Sequence, residues 1–311
     1  MAVYTHISEA ELAQYLAAFD LGSLKSFAGI AEGVENTNYK LVTTKGDFIL
    51  TLFEKRIRAE DLPFCLSFME YLNEQGLPCP AVVAAKSGEK IVPLQGKPAA
   101  ITSFLEGGWP RAITVAQAAA VGDVLAEMHL AGEKFPLRRN NSLALPQWKE
   151  LIAQCGARAD EVLPGLAHTL QHEIDFLEKN RPADLPSGAV HADLFPDNVF
   201  FRKDTLCGII DFYFACTEVF VYDLMLALNA WCFETEGLNV KKSAALLDAY
   251  EQKRPLTVPE QEALPFFGRA AALRIVATRL YDWLHRTAGA VVKPKDPMEY
   301  VQILNFYRMR E

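Results

Sequence analysis

The sequence has no CxxC pair, no run of basic residues and no apolar stretch approaching the length needed to cross a bilayer. Its six cysteines, Cys65, Cys79, Cys155, Cys207, Cys216 and Cys232, are scattered. Most lie within apolar runs, where a reduced thiol packs as a small hydrophobe, so a reducing, cytoplasmic setting is expected. Positive charge is also scarce: 31 Lys and Arg stand against 39 Asp and Glu, a formal charge of −8. General binding to nucleic acid depends on clustered cations that displace counterions from phosphates, so no nucleic-acid partner is expected. The first thirteen residues carry Glu9 and Glu11 and lack the basic and apolar segments of a secretion signal, and no membrane partner is expected.

What the chain does have is a composition that folds, with half of its residues hydrophobic and 23% charged. At 311 residues it exceeds one small core and favours two domains. The boundary is expected near Gly107-Gly108, giving a sheet-rich part over 1–106 and a larger helical part over 107–311.

Ser8-Glu9-Ala10-Glu11 has the form of a capping box, continued at helical spacing by Leu12, Tyr15, Leu16 and Phe19. Leu24–Ile30, Asn38–Thr44 and Phe48–Phe53 then read as a three-strand meander. The apolar spacing of Leu62–Glu74 predicts a helix. Two hairpins are expected next, turning at Lys86-Ser87-Gly88 and Gln95-Gly96-Lys97, before a strand over Ala99–Phe104. From the cap at Thr114 the character changes. Helices are predicted from there to Gly132, and over Trp148–Arg158, His168–Asn180, Val219–Phe233, Ser243–Gln252, Glu260–Arg286 and Met298–Arg308.

The segment richest in chemistry is His191-Ala192-Asp193-Leu194-Phe195-Pro196-Asp197-Asn198, followed by Val199–Arg202, a polar turn at 203–205, and Leu206–Asp211. A hairpin folded at that turn brings Asn198, just before one strand, and Asp211, at the end of the other, toward the same end. Two carboxylates and an amide oxygen form a hard-oxygen set suited to magnesium bridging phosphates. Phosphoryl transfer asks little covalent help from a protein. It needs an in-line hydroxyl, neutralised phosphate oxygens and a group that orients or accepts the hydroxyl proton, for which Asp193 is suited. Asp, Asn and Pro also gather in turns for backbone reasons alone, and it is their joint occurrence with the hairpin and a terminal Asp that points to function.

This segment resembles the catalytic loop of the protein-kinase-like superfamily, in its aminoglycoside and choline kinase branch. His191-Ala192-Asp193 stands where HGD or HRD is expected, and Ile209-Ile210-Asp211-Phe212 where the metal-binding Asp-Phe is expected. The resemblance implies a two-lobed α+β fold with an N-terminal antiparallel sheet lobe and a larger, mainly helical C-terminal lobe. It implies ATP as co-substrate and Mg2+ as cofactor, with Asp193 as catalytic base and Asn198 and Asp211 as metal ligands. His191 is expected to brace the loop, and Asp223 resembles the family's later structural Asp.

The turn over Gly29–Lys40 occupies the place where such folds cover ATP phosphates, which assigns Gly33, Val34, Asn36 and Asn38 to the nucleotide. A plain surface hairpin would look similar. Thr51 holds the place where the family carries a phosphate-binding Lys or Arg, a departure that leaves Lys40, Lys55 or Arg56 as substitutes and keeps a non-catalytic nucleotide-binding module open. Ser103 and Leu105 fall in the connector expected to hold the adenine edge.

The tail from Gly268 to Asp282, the Glu35–Tyr39 turn and the spacing of the whole chain resemble homoserine kinases of the kinase-like type. That implies a small amino acid acceptor. Arg279 and Asp282, at i and i+3 on one helix, could hold its carboxylate and ammonium, or form an ion pair with each other. Arg274, five residues before Arg279, would not closely share its face. Choline, aminoglycosides or hydroxylysine are the alternative acceptors, all bearing amines.

Overall fold

The computed structural model describes residues 4–30, 36–54, 57–285 and 294–310. The expected Gly33 and Val34 contacts, and the substitutes Lys55 and Arg56, lie outside the described residues. The chain divides into two compact units: 1–107 with 207–213, and 108–206 with 214–311. The α+β class expected from the sequence is borne out, with a sheet unit followed by a mainly helical one.

In the first unit, helix α1 (Glu9–Leu16) starts at the predicted capping box, where Ser8 and Glu11 each bond the other's backbone N–H. Strands β1 (Leu24–Gly29), β2 (Thr37–Thr43) and β3 (Gly46–Leu52) form the meander. With β4 (Val82–Val83) and β5 (Ala99–Ser103) they make one antiparallel sheet in the order β1-β2-β3-β5-β4. Alternate burial along β2 turns Tyr39 and Leu41 into a core with Leu12, Leu50, Leu52 and Ile101. Helix α2 spans Leu62–Glu74 as its spacing predicts.

The two hairpins expected between α2 and β5 are reduced to their turns. Residues 86–88 do turn, and Gln95 and Gly96 take φ of 50° and 73°, but the strands shrink to β4 and the isolated bridge between Leu94 and Lys97. Pro78, Pro80, Pro93 and Pro98 explain this, since each lacks the N–H that a ladder requires.

Segment 207–213 belongs to the first unit because it docks on α2. Ile209 N–H donates to the Pro78 carbonyl at 2.8 Å, and the Phe212 ring lies edge-on to Phe68 with centroids 6.1 Å apart. The Tyr213 ring lies edge-on to Phe53 at 4.9 Å.

In the second unit run α3 (Val115–Lys134), α4 (Leu145–Cys155), α5 (Leu166–Asn180), α6 (Phe220–Cys232), α7 (Val240–Lys253), α8 (Val258–Leu284) and α9 (Met298–Arg308). Between them, β6 (Ser187–Val190) pairs with a strand over Cys216–Val219, while Val199–Arg202 and Thr205–Ile209 form the predicted ribbon. The second strand of that ribbon contains the division between the units. Gly132 lets α3 lie directly on β6: a Cβ there would stand 2.0 Å from the Ala189 carbonyl oxygen. That close approach fixes the strand that delivers His191. The middle of α8 is buried on every side, from Phe267 to Ala277, and its charge at Arg269 is matched by a bidentate pairing with the fully buried Glu173.

Candidate active site

The loop after β6 is shaped from outside itself. Asp223, in the first turn of α6, is fully buried and accepts the N–H of His191 at 3.1 Å and of Ala192 at 2.8 Å. Two successive amides on one carboxylate hold the chain in a tight curve, and Ala192 is forced to φ 59°, a left-handed conformation costly for a residue with a Cβ. The His191 Nδ1 then accepts the Asp193 N–H at 3.2 Å, so that nitrogen carries no proton and the ring closes the turn.

Behind Asp223 a chain of hydrogen bonds runs through the helices. Arg254 donates to the Tyr250 hydroxyl at 3.1 Å, which lies 2.6 Å from His129 Nδ1, and His129 Nε2 lies 3.2 Å from Asp223. Each group can donate toward the carboxylate if His129 carries its proton on Nε2. Burial depresses the basicity of His129, only partly opposed by Asp223, while the contacts of Asp223 with His129 and the His191 N–H keep its carboxyl below the ordinary range despite burial. The ring is thus neutral and the carboxylate charged.

Asp193 is held on both carboxylate oxygens. The Asn198 Nδ2 donates to the Asp193 carbonyl at 2.8 Å and to Oδ2 at 3.3 Å, an approach created by the short 3-10 turn over Pro196–Asn198. On the other side Arg274 of α8, 2% exposed, donates to the Ala192 carbonyl at 2.6 Å and to Asp193 Oδ1 at 3.3 Å. Asp193 itself keeps about a fifth of its side chain exposed, as a group that must meet a substrate requires. With its nitrogen committed to Asp193, Asn198 keeps its amide oxygen for another partner. Trp231 Nε1 donates to the Leu194 carbonyl at 2.8 Å and anchors the loop beyond Asp193.

Sequence reasoning put Asp193, Asn198 and Asp211 toward one end of a hairpin and gave His191 a bracing role; in the structure Asn198 and His191 both bond to Asp193, and Asp223, named only through the resemblance, bonds the backbone of the same loop. It missed Arg274, although an arginine inside an all-apolar helical run was a usable signal, since such a charge must have a partner. Arg279, which helix spacing sets three residues before Asp282, donates from Nη1 to Glu299 at 2.6 Å and to the Asp296 carbonyl at 3.1 Å.

In the first unit, Asp211 takes φ 67°, a strained setting of the kind that collects at functional positions. Asn38 and Thr51 face each other across β2 and β3, and the Thr51 hydroxyl donates to Asn38 Oδ1 at 2.7 Å. Asn36 Oδ1 accepts the Glu54 N–H at 3.3 Å. Lys40 pairs with Asp47 at 2.9 Å and lies over the Phe104 ring. Ser103 ends β5, its hydroxyl accepting the Ala81 N–H at 2.9 Å, and Leu105 follows it half-buried. Among the described residues no cluster of three or more His, Cys, Asp or Glu side chains could cage a metal. No described helix is long and apolar enough to cross a membrane.

An antiparallel sheet unit, a helical unit, and an Asp held by an Asn five residues on define an enzyme that moves phosphoryl groups, and the chain belongs to the phosphotransferase enzyme family, whose model matches residues 26–256. It is 54% identical to the homoserine kinase of Brucella anthropi over 100% of this chain and 96% of that protein. It is likewise 54% identical to the homoserine kinase of Rhodopseudomonas palustris, over 98% and 94%. Among solved structures it shares its fold with an amicoumacin kinase in complex with AMP-PNP, Ca2+ and Ami, at a TM-score of 0.70 and 16% identity, covering 98% of this chain and 93% of that one.

Proposed function

We propose that this chain is an ATP-dependent kinase that phosphorylates the side-chain hydroxyl of L-homoserine, giving O-phospho-L-homoserine, a step toward threonine. The observation that carries the reading is the clamp on Asp193: Asn198 and Arg274 hold its two oxygens in the loop that the family uses for catalysis. Full-length identity of 54% to homoserine kinases supports the choice of acceptor.

In this reading Asp193 orients the acceptor hydroxyl and takes its proton as the oxygen forms a bond to the γ-phosphorus and the bond to ADP breaks. Asn198, through its amide oxygen, and Asp211 supply hard-oxygen ligands of the kind magnesium takes. When bound, the metal neutralises phosphate charge. Arg274 keeps Asp193 in its working rotamer. His191 and Asp223 hold the loop, and Asn36, Asn38, Thr51, Ser103 and Leu105 serve the nucleotide. Arg279 provides positive charge for the acceptor carboxylate, and Asp282 negative charge for its ammonium group.

ADP release measured with L-homoserine, choline and an aminoglycoside tests this. Turnover with homoserine should fall by about 10²–10⁴-fold in Asp193→Ala, the usual contribution of a positioned general base. Preference for choline or the aminoglycoside would move the acceptor elsewhere. Tight ATP binding without turnover would make the protein a binding module.

A further inference from the structure

Tyr300, in the first turn of α9, has a hydroxyl with no hydrogen-bond partner among the described residues, although the residue is only 4% exposed. Its ring is well held, packed 6.3 Å from the Phe195 ring and beneath the Arg279 guanidinium at 4.7 Å. Leaving a buried O–H unsatisfied is costly, and native proteins rarely do so without a reason. The Phe195 ring that it meets stands two residues after Asp193 in the reactive loop, and the Arg279 over the Tyr300 ring is paired with Glu299. The unmatched donor therefore sits on a helix packed against the loop that carries Asp193, with charges of both signs close by at Arg279 and Glu299.

Both cations near it are already engaged, Arg274 with Asp193 and Arg279 with Glu299. With both guanidinium groups paired, an arriving carboxylate needs a further donor, and the Tyr300 O–H is the buried donor left unmatched here among the described residues. A zwitterionic amino acid fits this mixture of charges, with its hydroxyl end at Asp193. A small alcohol without a carboxylate would leave the donor unmatched.

We propose that Tyr300 determines acceptor specificity by donating a hydrogen bond to the α-carboxylate of the amino acid whose side-chain hydroxyl lies at Asp193. This rests on the homoserine reading and deepens it, adding a contact that rejects carboxylate-free alcohols. Discrimination through a buried donor is strong because the wrong substrate leaves it unpaired.

The test is Tyr300→Phe, which removes only the hydroxyl and keeps the packed ring. KM for L-homoserine should rise by about tenfold, the loss expected for one hydrogen bond to a charged group, while KM for ATP and kcat stay within about threefold. The wild type's preference for L-homoserine over L-homoserine amide should shrink by a similar factor. The melting temperature should not fall, since no partner among the described residues is lost. An unchanged KM, an unchanged preference over the amide, or a KM rise that appears only with a drop in melting temperature would each overturn the proposal while leaving the kinase reading intact. No turnover of homoserine by the wild type would instead overturn that reading and this proposal together.

Discussion

Arg274 donates to Asp193 Oδ1 at 3.3 Å from within α8, so the reactive loop and the long apolar helix are joined through one charged pair. Its second bond, to the Ala192 carbonyl, aims the guanidinium and leaves it little freedom.

Arg274→Met should therefore lower kcat by at least about tenfold and cost about 3 kcal/mol in stability, because removing one member of a buried pair strands the rest of the network. Arg274→Lys keeps the charge but cannot span both acceptors, and should recover stability better than rate. Steady-state kinetics beside urea unfolding separate the two effects.

The neutral His129 gives the fold a dependence on acid. In the unfolded chain the imidazole takes up a proton near its ordinary 6.5, whereas burial makes the folded chain resist until lower pH. Between those points the unfolded state binds more protons, so stability rises with pH through the window and is lost on acidification. Melting temperature should fall as pH is lowered from about 7 to about 5.5, and His129→Gln should flatten that part of the profile. Asp223, depressed below its ordinary 3.8, extends the loss only into stronger acid. A profile unchanged by His129→Gln would remove this histidine from the account.

Ala192 bears a left-handed φ with its Cβ in place. Ala192→Gly removes the steric conflict but loosens the unfolded chain, and the first effect is the larger at a left-handed position, so stability should rise by about 0.5–1 kcal/mol with activity retained. Ala192→Val, β-branched and in a site 3% exposed, should unfold readily in the same assay.

Much of this was legible because local chemistry and tertiary packing agree. The helix over Leu62–Glu74 lies where its spacing predicts, its apolar residues facing a core and prolines stopping its continuation. The grouping of His191, Asp193 and Asn198 was legible for a similar reason: a short loop, a proline and a hairpin constrain one another within a few residues. Arg274 and Tyr300 were not. Arg274 reaches Asp193 and Tyr300 packs on Phe195 from helices far along the chain, and nothing in helical periodicity reports which face of a buried helix meets which loop. Helix spacing likewise could not report that Arg279 reaches Glu299 on α9. The lost strands near Pro93 and Pro98 show the opposite failure, turn signals read correctly while the missing N–H groups were given too little weight.

Asp223 reaches the reactive loop through two peptide N–H groups, those of His191 and Ala192. The bend at 191–193 is thus cast in a mould that belongs to α6, and the carboxylate asks nothing of the side chain in its middle. What limits that position is room and backbone angle, so a small alanine serves here at the place where the resemblance leads to glycine or arginine.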